Sequence, residues 1–164
     1  MRLVDIQLAF PFILLALTVI TVIGAGLWKV ILVMAVAQWG QYARVVRGQV
    51  LSIREQEFVT AAVSLGAGHR RIMFTHILRN ALTSVIVLAT IGIANNILLE
   101  AGLTFLGLGV DPSIPSWGGM LADGRNYIER AWWVSTFPGL AITVTVLGFN
   151  LLGDALRDGL DAHD

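Results

Sequence analysis

Apolar positions gather into four blocks along the chain, about Ile6 to Ile23, Val30 to Val46, Ala81 to Leu99 and Trp132 to Leu152, and the stretches between them carry most of the charge. No block alternates apolar with polar residues, and each approaches the roughly 20 residues that a helix needs to cross a bilayer. Within lipid the backbone must satisfy its own hydrogen bonds, so each block is expected to be a helix. The pattern predicts an all-α membrane protein with about four transmembrane helices. Pro11 stands near the start of the first block, where a membrane helix tolerates it. The second block is the weakest, because Gln38, Gln41 and Arg44 follow the wholly apolar run from Val30 to Ala37. A charge at mid-membrane costs about 2.5 to 3.5 kcal/mol, while a good apolar residue returns about 0.3 to 0.6. Lys29 and Arg44 therefore belong at the two ends of that helix, which needs neighbours.

Composition agrees with this reading. Hydrophobic residues make up 56% of the 164 and charged residues 13%, where a soluble domain carries about 25% charged residues. That is more apolar surface than one compact core of this size can hide. Met1-Arg2-Leu3 ahead of an apolar run has the outline of a secretory signal, but hydrophobic blocks continue to the end, so the first block reads as a retained span. There is no cysteine, which removes disulfides, thiolate metal sites and a catalytic thiol. The 11 basic and 11 acidic residues cancel, leaving no bulk basic field for nucleic acid.

The zero net charge hides a polarised chain. Arg44 to Arg79 carries a net +4, whereas Glu100 to Arg130 carries −2 and Asp154 to Asp164 carries −3. Four crossings place both termini and the 52–80 segment on one side; counting Arg2, the stretch from Arg44 to Arg79 and Arg157, that side holds eight basic residues, against three on the other. The positive-inside rule makes the richer side cytoplasmic and the 100–131 segment external.

Two of the connecting segments carry the functional signal. In the first, Ser52-x-x-Glu55 has the form of a capping box, with Glu55 and Glu57 in a first helical turn. Phe58, Ala62 and Leu65 then recur at helical spacing beside Val59, Val63 and Gly66, and Gly66-Ala67-Gly68 permits a break. His69 to Arg79 is expected to form a second short helix leading into the third span. Small residues at Ala61, Ala62 and Gly66 would let another protein approach closely, and a plain cytosolic hairpin is the alternative. In the second segment, the glycine-rich 100–131 stretch is too short to span again and is expected to fold back at the outer surface, with Trp117, Trp132 and Trp133 at headgroup level. Glu100 ends an apolar helix, where an acid is a functional candidate, although an interface residue reaching water fits the same position. Asn95, Asn96, Gln38 and Gln41 either line a polar path or form helix-to-helix hydrogen bonds, worth about 0.6 kcal/mol each.

Residue order adds to this. Phe58-Val59-Thr60-Ala61-Ala62, then Leu65-Gly66-Ala67, Arg71-Ile72, Phe74, His76-Ile77-Leu78 and Asn80 resemble the EAA loop of ABC importer permeases, in the form typical of the dipeptide, oligopeptide and nickel group. Thr60 stands where the general motif has glutamate, and Arg79 where the group usually has proline. Leu98 to Val110 with Pro112, Pro115-Ser116-Trp117-Gly118 and Met120-Leu121 is similar to that group's external segment. Trp132-Trp133, Phe137-Pro138-Gly139 and Phe149 to Asp158 are similar to its final span.

The resemblance implies the type I importer permease fold and a coupling helix, Phe58, Val59, Thr60, Ala61, Ala62, Leu65, Gly66 and Ala67, docking on an ATPase. It further implies a second permease, two ATP-binding cassette subunits and an extracytoplasmic solute-binding protein as partners, in the inner membrane of a bacterial or archaeal cell. ATP and magnesium would serve the partner subunits. This chain carries no cofactor motif: Lys29 is its one lysine, no P-loop surrounds it, and His69, His76 and His163 lack metal-ligand spacing. Family members usually have six spans and this chain matches the last four, which raises a non-functional truncated fragment as one alternative. An ion-coupled carrier in which Glu100 exchanges protons is the other.

Overall fold

The computed structural model describes residues 1–24 and 26–161, and among them the chain is helical without strands. In order run α1 (Arg2–Leu8), α2 (Phe12–Ile23), α3 (Leu27–Arg54), α4 (Glu57–Ser64), α5 (His69–Arg71), a π-helical turn (Ile72–Ile77), α6 (Leu78–Phe105), α7 (Trp117–Gly124), a 3-10 turn (Arg125–Tyr127) and α8 (Trp133–Asp161). His163 lies outside the described residues.

Two helices are long and apolar enough to cross a membrane, His69–Phe105 and Trp133–Gly159, and they match the third and fourth expected spans. The first expected span is not one rod. α1 and α2 meet at 88°, because Pro11 caps α2 with φ −59° and ψ 127° and pushes the residue before it out of helical conformation. Counted as one bent span, the pair makes a third crossing by length and composition. α3 has 28 residues, roughly 42 Å at 1.5 Å per residue. It has the reach of a fourth crossing but is not apolar enough to pass the same test, since Gln38, Gln41 and three arginines occupy its later turns.

α1 packs on α3 instead of extending α2. Val4 is buried, a side chain at Gly40 would come within 3.3 Å of it, and Gln7 donates to the Val36 carbonyl. Asp5 also pairs with Arg44 at 2.9 Å. Between α2 and α3, Gly24 takes φ +88°, and Lys29 Nζ donates to the Ile23 carbonyl at 2.7 Å, placing a cation at the negative end of α2. Ala16 and Ile20 of α2, Val30, Val33 and Met34 of α3, and Leu103 of α6 form the larger buried cluster.

α8 lies against α6, with Gly153 close to Thr90 and Ile91, and α7 packs against both. Within these apolar helices the threonine hydroxyls bond one turn back: Thr18 to Leu14, Thr21 to Leu17, Thr90 to Ile86 and Thr143 to Gly139. These bonds satisfy the four hydroxyl donors within their own helices, as an apolar surrounding requires.

Two local expectations are corrected. The capping box does not form: α3 runs on to Arg54, so Ser52 lies in its last turn, and the N-cap of α4 is Gln56 without a side-chain cap. His69 to Arg79 is not a separate helix either. It continues into α6 as one helix, His69–Phe105, of 37 residues, with a π-helical turn at Ile72–Ile77. A five-residue spacing puts Ile72 and Ile77 on one side, and both pack into the second buried cluster.

Candidate functional site

The two candidate regions sit at opposite ends of the His69–Phe105 helix. At its start, α4 is tied down by few side chains. Val59 is 5% exposed and packs with Ile53 of α3, Ile72 of the π turn and Ala81 of α6, with Ala62 and Ala67 beside them. Phe58 meets His76 with ring centroids 6.2 Å apart. Thr60, Ala61 and Gly66 face outward, and Leu65 is 87% exposed.

The expected break is present and its chemistry is local. Gly66 takes φ +79°; its N–H bonds the Val63 carbonyl at 2.9 Å while the Ala67 N–H bonds the Ala62 carbonyl at 3.0 Å. That pair is a Schellman motif, which needs a residue at ease in the left-handed region and closes the last carbonyls of the helix. Of the expected docking residues, Val59 is thus buried as an anchor, Ala62 and Ala67 are half-buried, and the rest form an outward surface.

Near the other end, α3, α6 and the start of α7 enclose a cleft of about 1050 Å³. Gln38, Asn96 and Glu100 of the expected polar residues line it together, with Trp39, Tyr42 and Trp117. Gln38 donates to Asn96 across the helix pair, so here the helix-to-helix hydrogen bond and the polar wall are the same contact. Gln41 and Asn95 do not reach this cleft. They line a second one, of about 510 Å³, next to α1 and α2, and Gln38 borders both.

Glu100 is held by a residue that sequence reasoning passed over. Thr104 Oγ1 donates to Glu100 Oε1 at 2.7 Å and accepts the Val110 N–H at 3.2 Å. The signal was there in the i, i+4 spacing of Glu100 and Thr104. The same hydroxyl folds the following loop back onto the helix. Gly107 helps, with φ +78° and a second Schellman pair, Gly107 N–H to Thr104 and Leu108 N–H to Leu103, both at 2.9 Å. Trp39, Tyr42 and Trp117 were invisible as a group because they come from two distant segments.

Residues 1–163 match the family described as the binding-protein-dependent transport system inner membrane component. The chain belongs to this family. Among curated members, the di/tripeptide transport system permease protein DppC of Pseudomonas aeruginosa (strain UCBPP-PA14) is 47% identical over 161 residues, covering 98% of this chain and 53% of that protein. The dipeptide permease DppC of Escherichia coli K12 is also 47% identical, over 98% of this chain and 54% of its own length. The glutathione transport system permease protein GsiD of Salmonella typhimurium LT2 is 45% identical, over 98% and 53%. The chain spans about half the length of the curated relatives it matches. The family is described as an inner membrane component, and these relatives are named as transport system permease proteins.

Proposed function

We propose that this chain forms the pathway and the ATPase-coupling part of a permease subunit in an ATP-driven importer of dipeptides and oligopeptides. Peptides are favoured within the dipeptide, oligopeptide and nickel group because the relatives are named for di- and tripeptides, dipeptides and glutathione. The observation that carries the coupling role is the construction of α4. Buried Val59 and half-buried Ala62, with Ala67 just beyond, fix it to α3 and to the His69–Phe105 helix, while Leu65 and its neighbours project uncovered by the described residues.

In this reading two ATP-binding cassette subunits hold the exposed face of α4. Their closure on ATP moves α4, and the Ile53, Ile72 and Ala81 contacts pass that motion to α3 and α6 as a packed unit. A second permease completes the pathway, an extracytoplasmic binding protein supplies the peptide, and both termini lie in the cytoplasm. ATP hydrolysis belongs to the cassette subunits. Nothing observed favours proton exchange at Glu100.

The test is Gly66→Asp in the assembled transporter. Asp at φ +79° strains the Schellman turn by about 1 to 2 kcal/mol and sets a charge on the docking surface, where the space around Gly66 is open. ATP-dependent dipeptide uptake should fall at least tenfold, with less ATPase co-purifying. Unchanged uptake together with unchanged co-purification contradicts the coupling role.

A further inference from the structure

The larger cleft has one charged wall residue. Among its lining residues Glu100 is the single ionisable acid or base apart from the Tyr42 phenol. No lysine or arginine among the described residues pairs with it, and Thr104 engages only its Oε1. Around it stand the amides of Gln38 and Asn96 and the rings of Trp39, Tyr42 and Trp117, with aliphatic walls from Ile31, Ile93 and Ile97. A half-buried carboxylate in so apolar a setting is costly unless a cation meets it.

The chemistry of the surroundings selects the cation. A divalent metal needs several hard oxygen or imidazole ligands, and no group of three His, Asp or Glu side chains able to hold one gathers among the described residues. An alkylammonium needs a single carboxylate for charge, an amide oxygen or two for its remaining hydrogens, and benefits from aromatic faces. The cleft offers that set.

We propose that this cleft is a transient site for a primary ammonium group on the transported molecule, with Glu100 as its counter-charge and Thr104 as the residue that positions the carboxylate. The proposal rests on the permease reading and adds a charge preference inside the membrane part of the transporter. It assigns the held group to the α-ammonium of a peptide or to a lysine side chain, which share this chemistry.

The experiment uses the assembled transporter in nanodiscs without its solute-binding protein, so that selection by that protein does not enter. Binding of labelled Ala-Ala, N-acetyl-Ala-Ala and N-acetyl-Ala-Lys is measured by equilibrium dialysis. Ala-Ala should bind about tenfold or more tightly than N-acetyl-Ala-Ala, the size of effect expected when a charge-assisted hydrogen bond is lost. Recovery with N-acetyl-Ala-Lys would show that a side-chain ammonium also serves, while no recovery would restrict the site to the α-ammonium. Glu100→Gln should abolish the difference between the first two probes and Glu100→Asp should keep most of it. Equal binding of Ala-Ala and N-acetyl-Ala-Ala to the unaltered transporter overturns the proposal without any variant having to fold. A Glu100→Gln transporter that keeps both ATP-dependent uptake and the ammonium preference overturns it while leaving the permease reading intact.

Discussion

The two ends of the His69–Phe105 helix are built from different materials. At the start, aliphatic side chains from four elements meet in a small cluster, and most of α4 stays uncovered. At the far end, backbone meets backbone. A Cβ on Gly118 would lie 2.6 Å from the Ala101 carbonyl oxygen and 2.7 Å from its Cα, and one on Gly109 would strike Thr104. Side-chain packing tolerates small displacements, whereas glycine contacts at van der Waals distance do not. The far end is therefore a fixed clasp that sets the shape of the cleft, and the near end is a handle left open for another surface.

The contrast breaks most visibly at the clasp. Gly118→Val should force α7 away from α6 and cost about 1 to 3 kcal/mol as overpacking, read as a lowered thermal midpoint in detergent and a lower yield of folded protein. Val59→Ala, at the handle, removes two buried methyl groups and should cost about 1.5 kcal/mol at roughly 0.8 kcal/mol per buried carbon. Its unfolding should begin at α4, visible as faster hydrogen exchange over residues 57–67 and unchanged exchange at 100–124. If both variants lose stability equally and everywhere, the distinction between the ends is wrong.

A smaller effect belongs to the loop beyond the clasp. The Ser113 hydroxyl and then its N–H, at 2.7 and 2.9 Å, hold the Asp111 carboxyl below its ordinary value. A depressed carboxylate stabilises the folded turn above its unfolded pKa, and that contribution is lost as pH falls through the folded value. Asp111→Asn should therefore loosen the turn slightly at neutral pH and change nothing in acid. Exchange protection of the Ser113 amide, compared at pH 7 and below pH 3, checks the sign.

How much of this was readable from residues varies with the physical signal. Hydropathy located the third and fourth spans, because a window average is insensitive to local geometry. It missed the 88° bend, because the apolar run continues through Pro11 and only the proline's effect on its predecessor breaks the rod. Gly66 was legible since a glycine after a helical stripe has few other uses. The capping box at Ser52 was misleading: α3 had already claimed that turn, and a four-residue pattern does not record which helix owns it. A π-helical turn at Ile72–Ile77 shifts the register by one residue near the start of a helix, too little for periodicity to register. At the cleft, Gln38, Asn96 and Glu100 stood out as polar residues in apolar runs, while the aromatic wall depended on tertiary folding.

The central claim is that the handle, and not the clasp, receives an ATP-hydrolysing partner. The chain has no cysteine, so Leu65→Cys and Leu106→Cys each introduce a single thiol at an exposed position, one at each end. Crosslinking in the assembled transporter, with the partner subunits identified by mass, should join position 65 to the ATPase in a yield that changes when ATP is added. Position 106 should give no such product. Equal crosslinking at both positions, or an ATPase adduct at 106 alone, would contradict the account.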